Sequence, residues 1–247
     1  MPGREGERGL TMGGKVSPVE ALSPASRAWG EIGSRSSDPH WGMVVDQERC
    51  IGCWSCAVIC KSENDVPLGM WWNRILTEGE ALDQPEVVRG GALEMHWLPL
   101  ACQHCENAPC VKVCPVQATY HRRDGIVMQD SDRCIGCRYC MIACPYGVRN
   151  FNWGSPARPT PHETGMVPAR PLGTVEKCTL CVQRLAEDQV PSCVWSCPTG
   201  ARVFGDHNDA GGRLATLIRE REGEDLLEEA GTRPSVRYLP PRRRNPL

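Results

Sequence analysis

All sixteen cysteines of this chain fall into four groups of four, with none left over. The groups are Cys50, Cys53, Cys56 and Cys60; Cys102, Cys105, Cys110 and Cys114; Cys134, Cys137, Cys140 and Cys144; and Cys178, Cys181, Cys193 and Cys197. Clustering of this kind marks metal ligands. The first and third groups read C-x2-C-x2-C-x3-C, and the third runs on into Pro145, a spacing suited to a [4Fe–4S] cubane. Three thiolates so spaced wrap one face of the cubane, and Ile51-Gly52 and Ile135-Gly136 let the backbone turn tightly between them. Structural zinc takes two separated C-x2-C pairs around one tetrahedral ion, a different pattern. Disulfide frameworks belong to small secreted domains with spread cysteines, and C-x2-C triplets give poor bridge geometry.

The fourth cysteine of each group has a separate task. In ferredoxin-type runs it opens the next helical segment and ligates a neighbouring cluster. Three groups end in Cys-Pro (Cys114-Pro115, Cys144-Pro145, Cys197-Pro198), and proline suits the first turn of a helix because it has no amide to leave unpaired. The second group (C-x2-C-x4-C-x3-C) and the fourth (C-x2-C-x11-C-x3-C) insert a loop before the third ligand but keep three near ligands and one far one. Motifs that exchange a ligand must pack together. Only residues 115–133 separate groups two and three, with a hairpin pattern between them, so these pair. Groups one and four then pair by elimination. The predicted ligand sets are Cys50, Cys53, Cys56 and Cys197 for cluster 1, and Cys178, Cys181, Cys193 and Cys60 for cluster 2. Cys102, Cys105, Cys110 and Cys144 hold cluster 3, and Cys134, Cys137, Cys140 and Cys114 hold cluster 4.

The elements that must position these motifs are short. Residues 40–46 alternate as a strand leading into the first group, and residues 71–76 and 96–98 read as two more strands. Residues 118–121 and 126–129 flank Asp124-Gly125 as a β-hairpin. The Pro-rich residues 154–173 read as a surface loop. Residues 198–205 read as a turn and strand, 213–221 as a short helix, and 223–247 as an extended polar segment. The predicted fold class is α+β, with two bacterial-ferredoxin-like dicluster units, one inserted in the other. Residues 40–94 and 174–210 form the first unit (motifs one and four), and residues 95–153 the second (motifs two and three). Residues 1–39 are expected to be disordered, 154–173 to be the loop, and 211–247 a C-terminal extension. The four motifs are the internal repeat. With 40% hydrophobic residues and two Phe, the cores are small and lean on the bound centres for stability.

The formal charge is −2, and four clusters of about −2 each would bring the loaded chain near −10, net charge being one determinant of cluster potential. Lys61, Arg133, Arg138 and Lys177 lie close to the motifs, and either offset this charge or form solvated surface. His104 reads as a polar loop residue beside a full ligand set, and Trp54 and Tyr139 as shields against water. No nucleophile, acid–base pair or nucleotide loop stands out; Gly211-Gly212 is too short a signal. The chain is therefore not expected to be an enzyme by itself. It lacks a basic stripe for nucleic acid, and Arg242–Arg244 reads as a solvated tail. No apolar run is long enough to span a membrane. Residues 1–40 carry no apolar export core and no Arg-Arg pair, so no signal peptide is expected, and Met12 or Met43 are alternative starts.

Several stretches together resemble the iron–sulfur subunit of the dimethyl sulfoxide reductase superfamily, which serves polysulfide, tetrathionate and similar reductases. They are residues 46–53 (DQERCIGC), 60–64 (CKSEN), 134–141 (CIGCRYCM), 143–147 (ACPYG), 176–181 (EKCTLC) and 197–201 (CPTGA), and the resemblance covers about residues 40–240. It implies docking on a catalytic subunit with a molybdenum or tungsten bis-pterin cofactor, and electron relay to or from a membrane subunit that handles quinone. The unit of motifs one and four would face the catalytic subunit, and the other the membrane. Some relatives carry Trp at the second cysteine of motif three and hold a [3Fe–4S] cluster. Cys137 stands here, implying four [4Fe–4S] clusters. The formate dehydrogenase type adds a C-terminal membrane helix that this chain lacks. The implied location is a membrane-associated complex, with the subunit either cytoplasmic or exported on a signal-bearing partner. The rival reading is a free-standing polyferredoxin or a hydrogenase-type electron-transfer subunit.

Overall fold

Residues Trp41–Asp46 (WGMVVD) are buried throughout, and their apolar β-branched run forms the central strand, β1. The computed structural model describes residues 36–78, 86–87, 93–94, 96–154, 167 and 171–241. After β1 come helix α1 (Ser55–Glu63), strand β2 (Arg74–Glu78), the two-residue strands β3 (Glu86–Val87) and β4 (Leu93–Glu94), and β5 (His96–Leu100). Helix α2 (Pro109–Lys112), the hairpin β6 (Thr119–His121) and β7 (Val127–Gln129), helix α3 (Tyr139–Ile142) and β8 (Asn150–Phe151) follow. The chain continues through β9 (Val175–Glu176), α4 (Val182–Leu185), α5 (Ser192–Trp195), β10 (Arg202–Asp206) and α6 (Arg213–Glu220) to β11 (Val236–Leu239). This is an α+β fold of short helices and small sheets.

The main sheet has the order β10-β1-β11. Strand β10 runs antiparallel to β1, placing Val203 opposite Val44, and β11 runs parallel to it, placing Tyr238 opposite Val45. The predicted hairpin forms, with Tyr120 opposite Met128 and Gly125 at φ +80° in its turn. Two ladders join stretches that sequence spacing put in different units: β2 with β5, and β8 with β9. One hydrophobic core gathers Met43, Val45, Phe204, Val236 and Tyr238 around Ile126 of the hairpin turn. A second surrounds the cysteines of motifs two and three.

Two expectations change. The segment 223–247 looked extended and polar, yet its Val236, Tyr238 and Leu239 are buried. The residues before β11 also bind motif two, its inserted loop included. Glu106 N donates to Arg233 O (2.8 Å), Asn107 N to Thr232 O (3.0 Å), and Ser235 N to Gln103 O (2.9 Å). At the other end, most of the segment 1–39 lies outside the described residues, but its last four do not. Ser36 N and Oγ donate to the Asp206 carboxylate at 3.2 and 2.6 Å, and Asn208 Nδ2 donates to Asp38 O at 2.7 Å. Most of the loop 154–173 and Arg242–Arg244 also lie outside the described residues.

Candidate metal centres

Each motif places its third cysteine in the same local setting. Cys56, Cys110, Cys140 and Cys193 are each the second residue of a helix (α1, α2, α3, α5), and all four are buried. The fourth cysteine follows four residues on: Cys60 one turn later on the same face of α1, and Cys114, Cys144 and Cys197 just past the ends of α2, α3 and α5. It thus closes a helical segment and does not open the next. Ahead of α1 and α3, Trp54 and Arg138 both hold φ +63°, a left-handed turn of the kind that directs successive amides into an anion-binding concavity. The Cys-Pro turns repeat too. Gln117, Gly147 and Gly200, each three residues past a far cysteine, have φ of +54°, +59° and +63°. Beyond two of them the chain turns an amide back on the sulfur, Ala118 N to Cys114 Sγ and Ala201 N to Cys197 Sγ, both at 3.2 Å.

Cys50, Cys53, Cys56 and Cys197 line one cavity of about 320 Å³. Cys60, Cys178, Cys181 and Cys193 line another of about 440 Å³, with Cys102 also in its wall. Cys102, Cys105, Cys110 and Cys144 line a third of about 350 Å³. Of the fourth set, Cys134 and Cys114 lie close enough for their charge to raise the Cys140 thiol, while Cys137 is exposed at the surface. Among the described residues no three His, Cys, Asp or Glu side chains are gathered tightly enough to hold a single metal ion. Four thiols spread around a cavity suit a polynuclear cluster better than one zinc ion.

Burial dominates the acidity of these thiols. It pushes Cys105 and Cys178 up to about 12 and Cys140 up to about 11, and drives Cys60 and Cys193 well above the ordinary thiol range. Loading metal must therefore release protons. Cys114 goes the other way: burial raises it, but amides of Thr119, Ala118 and Val116 outweigh that effect. Asn64, buried at the end of α1, donates Nδ2 to Cys60 O at 3.0 Å and lies 3.6 Å from Cys181 Sγ.

The thiol sets stand in a row. Cys56 of the first influences Cys193 of the second, Cys102 of the third influences Cys178 of the second, and Cys110 of the third influences Cys140 of the fourth. At the two ends Cys53 and Cys137 are exposed, whereas their counterparts Cys105 and Cys181 are buried.

Several bystander residues differ from expectation. His104 does lie in a loop, but it is fully buried, and its Nδ1 accepts from Val127 N at 3.1 Å. Tyr139 is 60% exposed and shields little, whereas Trp54, though partly exposed, lines the first cavity as a shield would and packs edge-on against Trp71. Lys61 donates to Pro67 O and Met70 O, and Arg138 lies 4.6 Å over the Trp153 ring, whereas Arg133 is exposed. Lys177 is buried and donates to Val127 O and Cys178 O. Sequence reading missed Arg149 and Arg202, both buried beside the cysteines. A signal was present. Each lies five residues after a far cysteine, in C-P-Y-G-V-R and C-P-T-G-A-R.

Residues 93–158 and 165–207 match the model of a 4Fe-4S dicluster domain, which places the chain among [4Fe–4S] proteins. A relative from Halobacterium salinarum, named as a dimethyl sulfoxide reductase iron–sulfur subunit, is 53% identical over 206 residues, covering 81% of this chain and 79% of the relative. A tetrathionate reductase subunit of Salmonella typhimurium is 42% identical over 235 residues (93% and 83%). The arsenate respiratory reductase iron–sulfur subunit of a Shewanella species is 37% identical over 233 residues (80% and 95%). The chain belongs to this family of reductase iron–sulfur subunits: it transfers electrons through [4Fe–4S] clusters and is not a catalytic subunit.

Proposed function

We propose that this subunit relays single electrons between a molybdenum or tungsten bis-pterin catalytic subunit and a membrane subunit that handles quinone. The observation that carries the reading is the row of four thiol sets, more deeply buried in the middle and exposed at Cys53 and Cys137. Bound in these sets, [4Fe–4S] clusters supply reversible one-electron storage. Cys50, Cys53, Cys56 and Cys197 hold the first; Cys60, Cys178, Cys181 and Cys193 the second; Cys102, Cys105, Cys110 and Cys144 the third; Cys114, Cys134, Cys137 and Cys140 the fourth. The motif-two and motif-three unit is inserted in sequence within the other. The chain's own work is spacing the sets, excluding water from the middle two and directing amides at sulfur.

The first set faces the catalytic subunit and the fourth faces the membrane partner. No helix among the described residues is long and apolar enough to cross a membrane; in this reading the membrane partner supplies the attachment. Iron analysis of the purified complex is expected to give about sixteen atoms per chain, the content of four four-iron clusters. The variant Cys60→Ala should abolish the signal of the second cluster and keep the first, although Cys60 sits in the first motif. Cys114→Ala should abolish the fourth and keep the third. Loss of the cluster of the same motif in either variant would sink the exchanged-ligand assignment. Recovery of the chain as a stable monomer from cells that also make a bis-pterin subunit would sink the relay.

A further inference from the structure

Three lysine or arginine side chains are buried among the described residues: Arg149 (4% exposed), Lys177 (1%) and Arg202 (2%). Taking an ammonium or guanidinium out of water is strongly unfavourable unless a negative charge compensates it. Among the described residues no Asp or Glu lies within ion-pair distance of any of the three. Their hydrogen bonds go to neutral acceptors. Arg202 Nη2 donates to Asn73 Oδ1 at 2.8 Å and Nη1 to Met43 Sδ at 3.4 Å. Arg149 donates to Thr119 Oγ1 and Gln129 Oε1, leaving Nε without a partner. Lys177 Nζ donates to the carbonyls of Val127 and Cys178.

Their placement is regular. Arg202 lines both the first and the second cavity, and its charge acts on Cys50 and Cys56 of one and on Cys60 and Cys193 of the other. Lys177 lines the third cavity, acting on Cys110 there and on Cys178 of the second. Arg149 lines the third cavity and acts on Cys110 and on Cys140 of the fourth set. A row of four centres has three gaps, and each gap holds one buried cation.

We propose that Arg202, Lys177 and Arg149 are the internal counter-ions of the cluster row, each shared by the two clusters flanking it, and that each raises the reduction potentials of both together. The inference rests on the ligand sets proposed above. The clusters supply the negative charge that the buried cations otherwise lack. Sharing has a consequence for transfer. A cation beside one centre alone would open a potential step in the row, whereas a cation between two favours the added electron on either side and keeps the step small.

Redox titration of the purified holo-complex, followed by electron paramagnetic resonance with iron measured on the same samples, tests this. In Arg202→Gln the first and second clusters both move to more negative potential while the third and fourth hold. In Arg149→Gln the third and fourth move instead. Arg202→Lys recovers most of the shift, because charge matters and the guanidinium hydrogen bonds matter less. Asn73→Asp guards against a folding defect: it keeps Arg202 and places a carboxylate where the amide oxygen now accepts from Nη2, and it moves the same two potentials negative. A shift confined to one flanking cluster, a shift spread over all four, or unchanged potentials in Asn73→Asp with iron at the wild-type level overturns the proposal. Wild-type iron far below about sixteen per chain defeats instead the ligand sets on which it rests.

Discussion

Gly136 sits between Ile135 and Cys137 at φ +70°, and a Cβ there would stand 2.3 Å from the carbonyl oxygen of Gly173. That obstacle is backbone, so no rotamer change relieves it. At Gly52, also at positive φ, the obstacle is the Trp97 ring, which can move. Gly136→Ala is therefore expected to cost about 1–3 kcal/mol in strain and to empty the fourth set first. Iron should fall by about four atoms per chain, with the other three signals retained. Both glycines were legible in the sequence because they sit inside a ligand run with only one workable turn. His104 was not. It lies between two ligands in a polar stretch, and only the long-range amide of Val127 gives its ring a buried partner. The arginines were legible only as a repeat, Arg149 and Arg202 at matching distances from Cys144 and Cys197, which their ordinary reading as surface charge concealed.

Among elements, short ones with local pairing were readable. The β6–β7 hairpin carries its own turn signal at Asp124-Gly125, and α6 forms over Arg213–Glu220 as its pattern suggests. The parallel pairing of β1 with β11 was not readable, because nothing local specifies a partner nearly the whole chain away. The same holds for the entry to β1, which is tied by a carboxylate on β10. Asp206 accepts from Ser36 N, Ser36 Oγ, His40 N and Asn208 N. Burial opposes its ionisation, but the donors outweigh burial and hold its carboxyl below the usual range. A carboxyl depressed on folding adds stability above its unfolded value, near about 4, and the addition is lost as pH falls through the folded value. Asp206→Asn should thus cost about 1–2 kcal/mol at neutral pH. Amide exchange across residues 36–42 should speed up, and the gap between variant and parent should narrow below about pH 4.

At the scale of the molecule, cysteine spacing gave two pairs of sets but not how the pairs join. The junction is Cys102 against Cys178, where the second and third sets meet, made by β2–β5 and β8–β9 ladders that cross the sequence-drawn units. A row joined in its middle leaves the first and fourth sets as its ends. Apolar side chains stand in water at both ends. Ile51 and Val58 lie on either side of Cys53 in the sequence, and Ile135 and Ile142, the latter 84% exposed, on either side of Cys137. Exposed groupings of this kind mark contact surfaces, and a relay needs one partner at each end. Under the proposed orientation, Ile142→Glu should leave iron and potentials at parental values yet weaken the membrane partner's hold by at least about fivefold, the effect of losing roughly 1 kcal/mol at an interface. Val58→Glu should spare that contact and weaken the catalytic one. Quantitative co-purification of each partner with the two variants decides the matter: if both substitutions release the same partner, the row does not run end to end between two subunits.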